Sequence, residues 1–480
     1  MKAGSLKARV ALLATMILAL ASLAGAGSSQ AKQTSPAGLS PQAVLDWNAN
    51  AVTLVLQAQH PREVSPPATR NLFQAEGSLY VSYVQAAVYN AAVAIGGRYE
   101  PYGYSLFAPN GASAEAAVAQ AAHDTLAYYL GPMLSSAQLT TLDGWLKTSL
   151  DGIAAGQAKS DGISVGKAAA LGIEAIRSND GRDGPQGNYG TGPIAPGAWV
   201  LTPGPFTFAQ TPWLGTMHPF VLESADQFEA KAPPKLQSRK WAKDFNETKA
   251  IGRVDSPRSD FQTKTAYFWN GNVTNQFNRE LRDLVTTYDM DLVDAAHLLA
   301  AGDLISVDAA MANWHSKYTY LFWRPLTAIR NAGIDGNDKT VADPSWTPLL
   351  AHPNHPEWPS AHGSVSGALT EVLAEVLGKK DHLEITIWGG ENGSGSPDDI
   401  ASVRLDRGDQ TRSPTHGSGA VSTTGARRVP ASSWASRWRA GIWSTPSGRS
   451  RTTEELNERR SPPERAGFVR GERNVVRSAA

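Results

Sequence analysis

The sequence predicts a mainly α fold with long ordered loops, and three observations carry that expectation. Apolar residues recur at intervals of three and four along several long segments, which is the period of a helix with one buried face. No stretch sustains the strict alternation of a half-buried strand. Several of the apolar segments are rich in alanine, the residue that loses least on entering a helix. The 480 residues are enough to bury a sizeable core, and 41% apolar with 18% charged residues is an ordinary globular balance. A formal net charge of zero gives no global argument for nucleic acid or an anionic membrane as partner. The absence of cysteine excludes disulfides, thiolate metal sites and a thiol nucleophile.

Taken in order, the chain opens with Lys2, Lys7 and Arg9 ahead of the apolar run "VALLATMILALASLAGAG", and Ala24-Gly25-Ala26 offers a small-x-small cleavage site. Residues 1–31 are therefore expected to be a signal peptide with a short linker. The expected mature protein is secreted and has no membrane attachment after cleavage; a single N-terminal anchor is the alternative. Residues 32–395 carry the helical domain. Helical spacing runs from Pro41 to Gln57, Leu79 to Ile95 reads as a buried helix, and Ala116 to Leu130 and Val165 to Ile176 are Ala-rich helices. Ser178 to Leu236 is rich in Gly, Pro and aromatics and is expected to be a long ordered loop wrapping the helices. Helical periodicity returns from Asn275 to about Trp323. Residues 396–480 differ: from Ala401 onward there are fifteen Arg and no Lys, with frequent Ser, Gly and Pro, which reads as a disordered basic tail.

The chemistry concentrates in two stretches. In Leu304 to Trp323, Leu304, Val307, Met311 and Trp314 keep helical spacing; Lys317 and Arg324, seven apart, would lie on nearly one face, with Pro325 drawing Arg324 out of helical geometry. A pair of snorkelling cations at a helix end is the bland reading. The second stretch is "HPEWPSAHGSVSGALTEVLAEVL", His355 to Leu377. Val365, Ala368, Leu369, Val372, Leu373 and Val376 form one apolar stripe, so Ser360 is a natural N-cap and His362 falls in the first turn. Free first-turn amides and the helix dipole make such a start an anion site. Lys317, Arg324, Ser360 and those amides would together bind a tetrahedral oxyanion, with His362 placed for proton transfer. Chelation of a metal by His352, His355 and His362 competes less well: their spacing fits no common zinc pattern, and Pro353, Pro356 and Pro359 break any helix that could present them together. "GIDGNDKT" lacks the closing Glu of a calcium loop and reads as a turn.

These residues resemble the vanadium-dependent haloperoxidases and the related class A acid phosphatases (the type 2 phosphatidic acid phosphatase superfamily), whose motifs are Lys-x6-Arg-Pro, then Pro-Ser-Gly-His, then Ser-Arg-x5-His. Here the first is "KYTYLFWRP", Lys317 to Pro325, and the second is "PSAH", with Ala361 in the place of Gly. The likeness runs from "VLDWNANAV" through "FWRPLTAIRNA" to "HPEWPSAH", most of residues 40–395, and is greatest to bacterial haloperoxidase-like proteins. It implies a helical bundle in which Lys317 and Arg324 bind vanadate oxygens, Ser360 hydrogen-bonds one, Ala361 offers its amide and His362 is the acid-base residue. Trp314 matches a pocket aromatic. His355 stands where algal bromoperoxidases carry His and chloride-oxidising relatives carry Phe, a hint of bromide set against a structural role in the Pro-rich loop. By resemblance the cofactor is vanadate, acting as a Lewis acid, and the reactants are hydrogen peroxide and halide, with Lys317 polarising the peroxide. The alternatives are a secreted phosphatase acting on phosphate esters, and a non-catalytic oxyanion-binding remnant. A homodimer is a family expectation.

The third motif is missing. His416 is the only histidine after His382, and "TRSPTHGSG" does not fit, so the residue that holds vanadate covalently in the family is absent. A shifted reading frame accounts for this and for the Lys-free tail. Taking the third base of each codon with the first two of the next, "THGSGAVSTTG" permits Ser-Arg-Val-Trp-Gly-Gly-Val-His-Tyr-Arg, which restores Ser-Arg-x5-His. Its His spans the codons of Ser422 and Thr423. "RWRAGIWSTPSG" in the same frame permits Ala-Arg-Trp-Asp-Leu-Glu-His-Ala-Phe. The shift would lie between about Gly390 and Thr415. As written, the chain is expected to have little or no peroxidase activity.

Overall fold

The computed structural model describes residues 38–62, 68–182, 184–203, 208–378, 382–388 and 400–406; the expected signal segment, the restored motif, most of the window for the frameshift and most of the expected tail lie outside them. The helices are α1 (Gln42–Gln57), α2 (Gln74–Gly96), α3 (Ala114–Leu130), α4 (Ser136–Asp151), α5 (Gln157–Ile176), α6 (Arg239–Ile251), α7 (Asp260–Trp269), α8 (Val273–Thr287), α9 (Leu292–Tyr320), α10 (Pro325–Arg330) and α11 (Ala361–Val376). Two antiparallel hairpins complete the described residues: β1 (Gln59–Arg62) with β2 (Ala68–Asn71), and β3 (His382–Trp388) with β4 (Ile400–Asp406). The mainly α expectation holds. The two hairpins are an exception to it, and the boundary drawn at 395 falls between the strands of the second.

Helix starts follow the local chemistry. Ser113, Ser135, Ser238, Ser259, Asn272 and Asp291 each accept a hydrogen bond from a first-turn amide of α3, α4, α6, α7, α8 and α9. Each such cap contributes about 1 kcal/mol. Between α8 and α9 the chain turns through Asp289, in the left-handed region at φ 47, so the single periodic run read from Asn275 to Trp323 is two helices.

The core is built around α9, which packs against α2, α8 and α11. Both α2 and α9 are long and apolar enough to cross a membrane by length and composition, yet their most apolar windows are 89% and 100% buried inside the protein. Other helices cover them, so apolarity all round reports a central position. On the other side, α3 and α5 meet at glycine: a Cβ on Gly166 would lie 2.4 Å from the Ala117 carbonyl oxygen. Only a bare Cα permits that approach.

Among its described residues, the Gly- and Pro-rich segment between α5 and α6 is the expected ordered loop, with one short 3-10 turn at Pro212–Thr216. Its path is fixed by buried polar anchors. Asp308 on α9 accepts the amides of Phe220, Val221 and Leu222 at 2.7, 2.7 and 2.9 Å. Arg177 donates to the carbonyls of Pro219 and His218 and stacks its guanidinium 4.0 Å from the Phe220 ring centroid. Gly215 packs on α9, where a Cβ would come within 2.5 Å of the His315 amide nitrogen.

Candidate functional site

Lys317 and Arg324 do not share a helix face. Helix α9 stops at Tyr320 because Leu321 takes a left-handed conformation (φ 46), and Pro325 holds Arg324 extended at φ −81, ψ 155. The intervening "LFW" is an extended piece clamped on both sides. Trp199 donates its amide to the Leu321 carbonyl, Trp323 to that of Gly197, and Glu357 to that of Phe322. The two cations still arrive at one place, the Pro-rich loop before α11.

That loop is held rigidly. Asn354 accepts from the Thr202 amide at 2.6 Å and the Thr202 hydroxyl at 2.8 Å, and Asn313 on α9 donates to the Ser360 carbonyl and the Ser364 hydroxyl. Ser360 caps α11, its Oγ accepting from the Gly363 amide at 3.2 Å. Ala361 and His362 open the first turn, as the apolar stripe requires.

Lys317 is buried, and its Nζ donates to the carbonyls of Pro356, Glu357 and Pro359 at 2.8, 2.9 and 2.6 Å. Burial and the nearby Arg324 charge push its pKa well down. Three carbonyl acceptors against three ammonium protons oppose that, because a neutral amine would turn its lone pair on one of them. Arg324 is equally buried. Its Nε donates to the His355 carbonyl (2.7 Å), Nη1 to the Glu357 carboxylate (2.9 Å) and Nη2 to the His355 ring (2.7 Å to Nδ1). His355 therefore serves as an acceptor; burial, then the charges of Arg324 and Lys317, drive its pKa far below the usual range. Trp314 stands 5.0 Å from the His355 ring, its indole N–H bonded to the Gln210 carbonyl. The His362 ring reaches solvent although protein surrounds it. Desolvation lowers its pKa, a hydrogen bond with the Trp269 carbonyl raises it, and Lys317 lowers it.

Glu357, Asn313 and Asn354 escaped the sequence reading. A carboxylate inside "HPEWPSAH" was a visible signal for Glu357, but spacing alone does not say which cation it will face. His352 lies apart, against Trp346 at 6.1 Å between ring centroids. Among the described residues no three or more His, Asp or Glu gather to hold a metal ion. In "GIDGNDKT", Asp335 accepts from the Trp241 indole and the Thr340 hydroxyl and shapes a turn.

Does this arrangement fit vanadate? As placed it does not. Every Lys317 donor is spent on a backbone carbonyl, Nε, Nη1 and Nη2 of Arg324 all bond protein acceptors, and a buried carboxylate already occupies the cationic pocket.

The class defined by fold and site is a helical bundle with two buried cations gathered at a capped helix start. Residues 297–440 match the family model of the VCPO second helical-bundle domain. The vanadium chloroperoxidase of Curvularia inaequalis is 27% identical over 142 residues, covering 24% of this chain and 23% of that protein, so the match spans about a quarter of the relative's length. Solved structures share the fold, two bacterial peroxidases among them. A bacterial vanadium-dependent iodoperoxidase superposes with a TM-score of 0.57 at 20% identity, over 73% of this chain and 85% of its own. An apo bacterial vanadium-dependent chloroperoxidase gives 0.53 at 16%, over 70% and 85%. The family model and the curated relative support the vanadium haloperoxidase superfamily, and the solved structures share its helical fold.

Proposed function

We propose that this is a haloperoxidase-type protein, exported from the cell, whose oxyanion site is closed in the chain as written, so that it has little or no peroxidase activity. The single observation behind this reading is that the protein's own carbonyls and carboxylate engage Lys317 and Arg324, the two cations an oxyanion would need. The absence of Ser-Arg-x5-His points the same way. In this proposal Ser360 and the Ala361 amide are oxyanion donors in waiting, and His362, the most exposed of the site's histidines, is the group that would exchange protons. Trp314 and His355 form the wall on the halide side.

The test is bromination of an organic acceptor by purified full-length protein with vanadate, bromide and hydrogen peroxide. No turnover above the protein-free control is expected. Turnover at a rate typical of enzymes, above about 1 per second, would sink the reading. A frame-repaired chain should brominate; hydrolysis of phosphate esters by it instead would favour the phosphatase alternative.

A further inference from the structure

We infer that Glu357 is the internal counter-anion of the Lys317–Arg324 pocket, a specificity-determining residue whose carboxylate an incoming oxyanion must displace from Arg324. The inference rests on the reading of Lys317 and Arg324 as oxyanion ligands. Both side chains of the ion pair are 5% exposed, and Nη1 of Arg324 lies 2.9 Å from Oε2 of Glu357. Backbone bonds hold Glu357 there: its amide donates to the Phe322 carbonyl and its own carbonyl accepts from Lys317. Behind the carboxylate lies an apolar pocket walled by Trp241, Phe322, Trp323 and Pro325. Such mostly apolar walls solvate a displaced charge poorly, so leaving Arg324 is costly.

Lys317 and Arg324 supply two positive charges and Glu357 removes one, so the pocket presents a net charge of about one. Such a pocket suits a monoanion and opposes a dianion. A like charge about 5 Å from the ligand, at an effective dielectric of about 20, weakens binding by roughly a few hundredfold. Glu357 thus sets both the affinity of the pocket and its preference among oxyanions.

Isothermal titration calorimetry of orthovanadate and of inorganic phosphate into purified full-length protein tests this. Glu357→Gln is expected to bind both at least tenfold tighter than the unaltered chain, with the larger gain for phosphate, the more highly charged ion near neutral pH. Adding Arg324→Met should abolish the gain. Equal affinities with and without Glu357→Gln, both weakened by Arg324→Met, would overturn the role of Glu357 and leave the oxyanion site standing. Binding that ignores Arg324, or none in any variant, would overturn the oxyanion reading and the inference with it. Circular dichroism checks that each variant folds. Should Glu357→Gln not fold, Glu357→Asp, which withdraws the charge by one methylene, is expected to tighten binding roughly two- to fivefold; unchanged affinity there overturns the inference.

Discussion

Replacing Lys317 with Met separates two jobs the residue could do. The side chain is buried, and its ammonium bonds three carbonyls, those of Pro356, Glu357 and Pro359, at 2.6–2.9 Å. Methionine keeps most of the volume and removes all three donors. Each buried carbonyl left without a partner costs about 1–3 kcal/mol, so the gross penalty is roughly 3–9 kcal/mol. Against this stands the relief of no longer burying an ammonium, several kcal/mol, and the end of its repulsion with Arg324. The balance is an expected loss of about 2–4 kcal/mol, because Lys317 is the clip that shapes the Pro-rich loop. Urea unfolding followed by tryptophan fluorescence measures it, with Trp314 and Trp358 beside the loop as reporters. A loss below about 1 kcal/mol, or a gain, would refute the reasoning. It would mean that the desolvation cost outweighs the carbonyl bonds and that the charge is kept for a ligand.

Asp308→Ala removes the acceptor of three loop amides and should cost about 3–5 kcal/mol. Limited proteolysis should then cut first within residues 208–236, and unchanged cleavage kinetics would count against Asp308 as the anchor. His123 gives a pH prediction. Desolvation lowers its pKa, but hydrogen bonds with Asp124 and Asp143 outweigh this, so the folded value lies above the unfolded one. Its contribution is therefore fully present below about pH 6.5 and is lost as pH rises through the folded value. Asp143 is 75% exposed, which keeps the effect under about 1 kcal/mol. The thermal midpoint of His123→Gln should fall below that of the unaltered chain at pH 6 and approach it at pH 8.5; a gap that widens with pH contradicts the assignment.

Much of the bundle was legible because its helices announce themselves twice, by apolar period and by a Ser, Asn or Asp at the start. Ser360 is the clearest case: the stripe from Val365 to Val376 by itself locates the cap. Helices α4, α6 and α7 were missed. They lie on the outside, with few buried residues each, so their apolar stripes are thin. The strand "HLEITIW" was missed because seven residues of alternation are easily lost beside a long helical period. Placing Lys317 and Arg324 on one helix failed for a physical reason: the left-handed Leu321 and the demand of Pro325 for an extended predecessor end the helix four residues early.

What spacing could not convey is whether the pocket is open. Lys-x6-Arg-Pro and Pro-Ser-x-His bring the right groups to one loop, and they would do so equally in an occupied, an empty or a self-closed site. Openness is a matter of counting donors against acceptors, and the acceptors here are Glu357, the His355 ring and four backbone carbonyls that no side-chain pattern reveals. The Lys317 ammonium matches three of those carbonyls proton for oxygen, and Arg324 meets a full countercharge at 2.9 Å. An oxyanion arriving there must break bonds of the same kind it would make, so its net gain is small however basic the motif looks. A closed pocket of this kind can keep its shape without a ligand, because the bonds that fill it are the protein's own.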